Sequence, residues 1–299
     1  MSDMDAVIPA YDPDPAQLAA AVASLRACAG MSRIVIVDDG SRVPIERAPE
    51  WGHGGVDPLS RAGVIELVRT ENRGPSHARN IGLSRVGATW TLLLDADDEA
   101  IAKGVAAMVD LGDRLGVAIV LGAHVDVRMD ASGHAERERV REVPPEWVGR
   151  TLPRAEDVFR PIALFSSTGV LVHRRVIDAG VRFDEGLRIG EDRDFFCRVA
   201  REVGPIGVCP EPVVRKRAHA GGLTGAGHLA RRVRDHGVLL DRYLNDASRA
   251  HFRDATRWLI DACARAGVDA ATWGLIVEQA RRVGIGVPLK ARVRRLVRR

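Results

Sequence analysis

Through roughly the first 120 residues, short apolar runs of β character alternate with stretches of helical spacing, and the runs end in polar or acidic turns. That alternation predicts βαβ units and an α/β fold with a mainly parallel central sheet flanked by helices, since parallel neighbours need a crossover between them. Residues 5–11 (DAVIPAY) read as the first strand. Residues 14–27 read as a helix with Leu18, Val22 and Leu25 on one buried face. Residues 33–41 and 64–72 are predicted strands, residues 75–86 a helix starting just after Gly74, and residues 90–99 a fourth strand that ends abruptly in acid. Ligands of open parallel sheets bind outside the carboxyl ends of the strands, so these turns are where chemistry is expected.

The 299 residues are 46% hydrophobic and 28% charged, the composition of a globular chain long enough for one large α/β domain or two smaller ones. No apolar run approaches the roughly 18 residues of a membrane span. The acids and prolines of MSDMDAVIPAYDPDP do not fit a secretory signal. Cys28, Cys197, Cys209 and Cys263 lie far apart without a CxxC pair, so neither a zinc knuckle nor a disulfide framework is expected. A cytoplasmic chain with reduced cysteines follows as the expectation. Charge is distributed unevenly: residues 1–212 carry a net −8 and residues 213–299 a net +12, which places any basic partner surface in the C-terminal part.

Residues 42–63 read as an exposed excursion between strands. Residues 130–161, polar and weakly periodic, read as a functional loop of the kind that closes over or binds a ligand. Residues 167–180 predict a strand and short helix, and residues 183–202 a turn followed by a helix. Beyond about residue 222 the pattern is helical to the end. The expected division is therefore 1–222 for an α/β domain and 223–299 for an all-helical extension with a basic tail.

Four segments carry the chemistry. LLLDADDE places Asp95, Asp97 and Asp98 directly after three leucines. Three carboxylates in four positions repel one another unless a cation sits among them, and hard divalent ions take oxygen ligands. A solvated acidic turn before a helix would give the same pattern. The segment also resembles the start of haloacid-dehalogenase-type phosphatases, in which Asp95 would be the nucleophile, although Glu99 stands where those have Thr or Val. VDDGS offers Asp38 and Asp39 at a second strand end, where a carboxylate can accept an N–H from a ligand, or simply form a turn. ENRGPSHARN joins a strand end to a helix start with Arg73, His77 and Arg79, donors suited to phosphate. GEDRDFFCRVA puts Glu191 and Asp192 in the first turn of an amphipathic helix, as caps or as a general base held at a rigid end. No GxGxxG or GxxxxGK occurs, so any phosphate would be held by means other than a dinucleotide or Walker-type loop.

Seven segments in order, VIPAYD, IVIVDDGS, ENRGPSHARNIGL, WTLLLDADDE, TGVLVHRRVI, FDEGLRIGEDRDFFCRVA and RKRAHAGG, resemble family 2 glycosyltransferases of the GT-A fold over most of residues 5–222. The resemblance implies a Rossmann-like sheet and an inverting, nucleotide-sugar-dependent transferase. It implies that Pro9, Tyr11 and Asp39 line the base pocket, with Tyr11 stacking on the base and Asp39 reading its edge. Asn72 and Arg79 would lie near the nucleotide and its phosphates, and Asp95 near ribose or donor sugar. Asp97 would bind Mn²⁺ or Mg²⁺, with His219 as a further metal or diphosphate contact, and Asp192 would be the catalytic base. Arg42-Val43-Pro44 stands where the family often has Thr-Asp after DDGS, so the loop beyond the base pocket is expected to be built differently.

The residue types suit that chemistry. A cation can neutralise a leaving diphosphate, replacing the acid a glycosidase needs, and one carboxylate then suffices to deprotonate the acceptor. The expected donor is UDP-linked, and the acceptor is a hydroxyl or amine on a small molecule, glycan or lipid-linked sugar. A phosphatase acting through Asp95 and a non-catalytic nucleotide-sugar binding module are the alternatives. The tail PLKARVRRLVRR groups Leu289, Val293, Leu296 and Val297 among six basic residues. This fits an interfacial helix on anionic lipid and equally a solvated basic tail. Aromatic interleaving is absent, so nucleic acid is not an expected partner.

Overall fold

A computed structural model describes residues 2–45, 65–129, 135–148, 151–152, 166–218 and 228–291. At its centre, β1 (Met4–Ala10) lies parallel between β2 (Met31–Asp38) and β4 (Trp90–Leu93), and β3 (Ile65–Arg69) extends the sheet beside β2. On the far side of β4, β9 (Val170–His173) runs antiparallel to both β4 and β6 (Ile119–Met129), and β10 (Ile206–Ala218) then lies parallel to β6. The order is β3-β2-β1-β4-β9-β6-β10-β5, where β5 is Glu99–Ala100, paired antiparallel with β10. A hairpin partner, β7 (Ala135–Arg141), adds to β6, and β8 (Thr151–Leu152) adds to β10. The sheet is mainly parallel, as the alternation predicts, with β9 reversed at its middle.

Two-residue periodicity divides the core. Val7, Val35 and Val37 face one hydrophobic layer, and Ala6, Ile8, Ile34 and Ile36 the other. The second layer is closed by α1 (Pro15–Arg26) and α3 (Ala102–Leu115), through Leu18, Val22, Leu25, Val105 and Met108. Asp14 starts α1 by accepting the Gln17 N–H at 3.0 Å, with proline in the first turn. The first layer is closed by α2 (Pro75–Leu83), α4 (Arg174–Asp178) and α5 (Glu191–Glu202). Three helices follow: α6 (Leu229–Tyr243), α7 (Arg249–Ala266) and α8 (Ala270–Arg282). Leu229 and Val233 of α6 pack with Leu259, Ile260 and Ile276 in a helical cluster of their own, whereas Leu239, Leu240 and Tyr243 enter the layer beneath α5. None of the described helices is long and apolar enough to cross a membrane.

Three local departures have physical causes. The fourth strand stops at Leu93, because the acids that follow cannot enter the apolar layer. Asp95–Asp98 form a turn closed by the Asp98 N–H on the Asp95 carbonyl (3.2 Å), and Glu99 joins β10 instead. Within 130–161, β7 is solvent-exposed over residues 136–140 and so lacks the alternating apolar signal by which a strand is read. Finally, β10 continues through Arg215, Lys216 and Arg217, which hydrogen-bond along β6 despite their charge. The excursion expected at 42–63 lies mostly outside the described residues.

Candidate active site

The carboxyl ends of β1 and β2 are tied to each other. Asp12 adopts φ 44°, and its carboxylate accepts the Arg42 N–H (2.8 Å) and Nε (2.7 Å), while its own N–H donates to Ser41 Oγ (2.9 Å). Hydrogen bonds and charge from Arg42, and a hydrogen bond from Tyr11, hold Asp12 below the ordinary carboxylate range in spite of some desolvation. The ring of Tyr11 stands on this braced turn, half exposed at 51%. Behind it, Asp38 is fully buried and accepts the Ser41 N–H (2.8 Å) and the Arg69 guanidinium. Asp39 is buried too, and accepts the N–H groups of Arg73 (2.9 Å) and Gly74 (2.7 Å), one on each oxygen. Each oxygen keeps a second lone pair. Gly40 is required here: it adopts φ +74°, and a Cβ would lie 2.7 Å from the Asn72 backbone nitrogen. Pro9 is partly buried in β1, and the Asn72 side chain is exposed above Gly40.

Asp39 thus fixes the start of α2, and α2 carries the residue that joins the site. Arg79 is buried, and its guanidinium meets Asp95 at 2.8 Å and Glu191 at 3.3 Å, with Phe183 beneath it, 5.5 Å from guanidinium carbon to ring centroid. The acid turn after β4 and the acid pair opening α5, almost a hundred residues apart in sequence, are therefore bridged by one cation. Burial disfavours ionised Asp95, but Arg79 and Lys216 outweigh it and hold the carboxyl below the ordinary range. Glu191 is pushed up to about 7, first by burial and then by Asp192, with Arg79 opposing both. Asp192 is partly exposed, its Oδ1 accepting the N–H of Arg193 at 2.7 Å.

The second half of the acid turn is less fully compensated. Asp98 is buried, and its Oδ1 accepts the Arg217 N–H at 3.0 Å. Its Oδ2 is buried with no hydrogen-bond partner among the described residues. Burial first, then the charges of Asp95 and Asp97, push it up to about 8. Arg217 also reaches the Asp97 carbonyl (3.4 Å) and Glu99. Among the described residues no three His, Cys, Asp or Glu side chains are grouped as a complete metal cage. Crowded carboxylates with one unsatisfied buried oxygen nevertheless suit a hard cation of the kind held by one or two protein carboxylates and completed by phosphate oxygens and water. His219, the other expected contact, lies outside the described residues.

Residues that the sequence reading passed over orient this assembly. Asn80 clamps the turn before α5 by donating to the Phe183 carbonyl (2.9 Å) and accepting its N–H (2.8 Å). Glu185 accepts from Asn80 (3.1 Å), His77 (3.0 Å) and Arg73 (2.8 Å), which keep it below its ordinary range against partial desolvation. Asp235 of α6 receives the N–H groups of Arg188 and Ile189, both at 3.0 Å, just ahead of the acid pair. The fully buried Asp194 takes Arg198, Arg242 and Tyr243, each at 2.7 Å, locking α5 to α6. Helix α6 is thus the backing of the Glu191–Asp192 turn. Only pairing across long separations reveals these roles; the nearest sequence signal was the density of charge in 183–194.

Of the nine residues singled out from the sequence, Tyr11, Asp39, Asn72, Asp95 and Asp97 fall on strand-end loops, Asp192 at the start of α5, Pro9 near the end of β1 and Arg79 within α2. The linkage runs from Asp39 through Gly74 and α2 to Arg79, and from there to Asp95 and the Glu191–Asp192 turn. Similarity to known proteins points the same way. Succinoglycan biosynthesis protein ExoO of Rhizobium meliloti (strain 1021) is 30% identical over 200 residues, which is 64% of this chain and 53% of that protein. ExoW of the same organism is 28% identical over 206 residues, covering 66% of this chain and 63% of that one. The chain thus spans somewhat over half the length of these curated relatives. In fold, it superposes on S. aureus TarS 1-349 in complex with UDP-GlcNAc with a TM-score of 0.60 at 14% identity, over 97% of this chain and 83% of that one. The complex of the same protein with UDP gives 0.59 at 15% identity, over 99% and 88%. The family model "Glycosyl transferase family 2" matches residues 5–180, more than half of the sequence, including the segments that carry Asp39, Arg79 and Asp95 to Asp98 but not the turn that opens α5, and the chain therefore belongs to that family.

Proposed function

We propose that this glycosyltransferase moves a sugar from a UDP-linked donor to an acceptor hydroxyl or amine with inversion, using a divalent cation, and that Asp192 is the general base. The observation that carries this reading is Arg79: by pairing with Asp95 and Glu191 together, it sets the turn suited to the donor's diphosphate against the turn suited to the acceptor. In this reading Tyr11 stacks on the base, Asp39 faces its edge, and Asn72 flanks the nucleotide. Arg79 serves as the positioning residue beneath the phosphates. Asp97, with His219 and the adjacent Asp95, would hold Mn²⁺ or Mg²⁺, which when bound neutralises charge on the departing diphosphate.

On the other side, the Asp192 carboxylate takes the proton from the acceptor oxygen or nitrogen as that atom bonds to the anomeric carbon. The bond from that carbon to the diphosphate oxygen breaks in line. Glu191 cannot share this task while its carboxyl faces Arg79 inside the protein. Asp192 can, being the partly exposed member of the pair. The acceptor is a growing glycan, a reading supported by the succinoglycan relatives, and peripheral contact with membrane through the basic tail would suit a lipid-linked form of it. Thermal-shift measurements with UDP, GDP and dTDP, each with and without Mn²⁺, test the donor assignment, because a ligand that binds only the folded chain raises its melting point. UDP is expected to do so in a Mn²⁺-dependent way that Asp97→Asn abolishes. A shift with GDP or dTDP but not UDP overturns the base, and no shift with any of them overturns the reading.

A further inference from the structure

The turn that leads to the proposed base sends one arginine back onto the start of α2. Leu187 is buried in the core, and the turn around it is closed by the Gly186 N–H on the Asp184 carboxylate (2.8 Å) and the Leu187 N–H on the Asp184 carbonyl (3.1 Å). The next two N–H groups, of Arg188 and Ile189, donate to the buried Asp235 at 3.0 Å each. The backbone of Arg188 is thereby fixed, and its partly buried side chain lies on Gly74, the residue just ahead of α2. A Cβ at position 74 would overlap the guanidinium carbon and Nη1 and stand 3.1 Å from Nη2, and Gly74 also adopts φ +97°. Glycine is therefore required there twice over, for the backbone conformation and for the arginine that covers it.

Among the described residues the Arg188 guanidinium makes no hydrogen bond and no ion pair, so its five N–H donors are available. The carboxylates of its own turn are engaged elsewhere: Asp184 with Arg242 (2.7 Å), Glu185 with Arg73, His77 and Asn80, and Glu191 with Arg79. The guanidinium also lies at the amino end of a helix, whose dipole disfavours a cation. Its neighbours say what would favour it. The Gly74 N–H donates to Asp39, and Arg79 follows five residues later on α2, about 7.5 Å along the axis. Arg188 thus stands between the residue read as facing the base and the residue read as lying beneath the phosphates. We propose that Arg188 is a donor-binding residue whose guanidinium takes a phosphate of the nucleotide. The planar fork suits two phosphate oxygens at once. The assignment rests on the proposed transferase reading and adds to it a contact from the turn that carries Asp192, so that the charge of the bound donor holds the base turn against the start of α2.

The test is calorimetric titration of uridine, UDP and inorganic diphosphate, each with Mn²⁺ present, into the full chain and into Arg188→Gln, Arg188→Lys and Arg201→Gln. Loss of charge-assisted hydrogen bonds should weaken UDP about tenfold or more in Arg188→Gln and by less in Arg188→Lys, while uridine stays within about twofold of wild type. Inorganic diphosphate should follow UDP. Arg201→Gln, which removes an exposed arginine paired with Glu202 at the other end of α5, should bind all three as wild type does. Wild-type UDP affinity in folded Arg188→Gln overturns the proposal. So does an equal loss for uridine and UDP, the result of a merely structural role. Should Arg188→Gln fail to fold, Arg188→Lys decides: a loss confined to the phosphorylated ligands supports the assignment, and wild-type affinity overturns it. If inorganic diphosphate binds the wild type but uridine and UDP do not, the uridine-donor reading fails, and the diphosphate arm still decides Arg188. Binding of none of the three overturns the proposal.

Discussion

Replacing Arg79 by methionine removes the one cation that bridges buried Glu191 and partly buried Asp95, and keeps much of the side-chain volume. Asp95 and Glu191 have side-chain exposures of 29% and 12%, so neither can turn wholly to water. Breaking a buried pair from one side costs about 3–5 kcal/mol, because the charge left behind is uncompensated. Glu191 already sits at about 7 against an ordinary 4.5 with Arg79 in place. At about 1.4 kcal/mol per unit, its ionised form alone weighs on the fold by about 3 kcal/mol. Without Arg79 the displacement grows.

The pH dependence has a definite sign. An acid whose proton affinity is raised in the folded state binds more protons folded than unfolded, so stability falls as pH rises from the unfolded value through the folded one. In wild type that window runs from 4.5 to about 7. In Arg79→Met it extends above 7, so the variant's deficit is larger at pH 8 than at pH 6. At about 2 °C per kcal/mol for a chain of this size, the melting point should fall by about 8 °C at pH 8 and by visibly less at pH 6. Thermal denaturation followed by circular dichroism at the two pH values checks this. Adding Glu191→Gln should restore at least about 1.5 kcal/mol at pH 8, since it removes the stranded charge. A melting point within 2 °C of wild type at pH 8, or equal deficits at both pH values, would refute the account of Arg79 as the joint of the site.

Asp192→Asn should lower the turnover number about 10²–10⁴-fold while leaving the UDP-induced thermal shift unchanged, as a pure base would; equal losses in both would place Asp192 in donor binding instead. Gly40→Ala forces a left-handed φ on alanine and a 2.7 Å contact with backbone, so about 2–4 kcal/mol should be lost in urea denaturation, together with UDP binding. Asp194→Ala strips Arg198, Arg242 and Tyr243 of their shared acceptor and should cost about 3–5 kcal/mol, with α6 losing hydrogen-exchange protection before the sheet does.

The sheet was readable from the sequence because its inner strands carry unbroken apolar runs, such as IVIV before Asp38 and TLLL before Asp95, and these are fully buried. The exposed β7 and the charged end of β10 lack that signal, since their pairing is held by backbone hydrogen bonds that any side chain permits. In the candidate site, motif order singles out Asp39, Asp95, Asp97 and Asp192, and the family match over residues 5–180 separates a transferase from a phosphatase that would share only the segment around Asp95. What the residue string does not hold is pairing across such long separations. Arg79 with Glu191, Asn80 with Phe183, and Asp235 with the turn before Glu191 depend on how α2, α5 and α6 meet in space. The helices after residue 222 read correctly as helices, yet nothing in their spacing indicates that Leu239, Leu240 and Tyr243 belong to the core under α5.

The compensation of the acids divides them by task. Asp38 is answered by Arg69, Asp39 by two backbone N–H groups, Glu185 by Asn80, His77 and Arg73, and Asp194 by two arginines and a tyrosine. Asp38 and Asp194, buried and held that fully, have no remaining need of a ligand, whereas Asp39 keeps a second lone pair on each oxygen. Asp98 lies at the opposite extreme, with one oxygen unanswered and two like charges beside it. Such a cost is one that the proposed divalent cation at the acid turn after β4 would relieve. Asp192, the proposed base, is partly exposed and so open to an incoming acceptor. The fully paired acids hold the strand-end turns in place, and Arg79 joins the acid turn after β4 to the turn that opens α5.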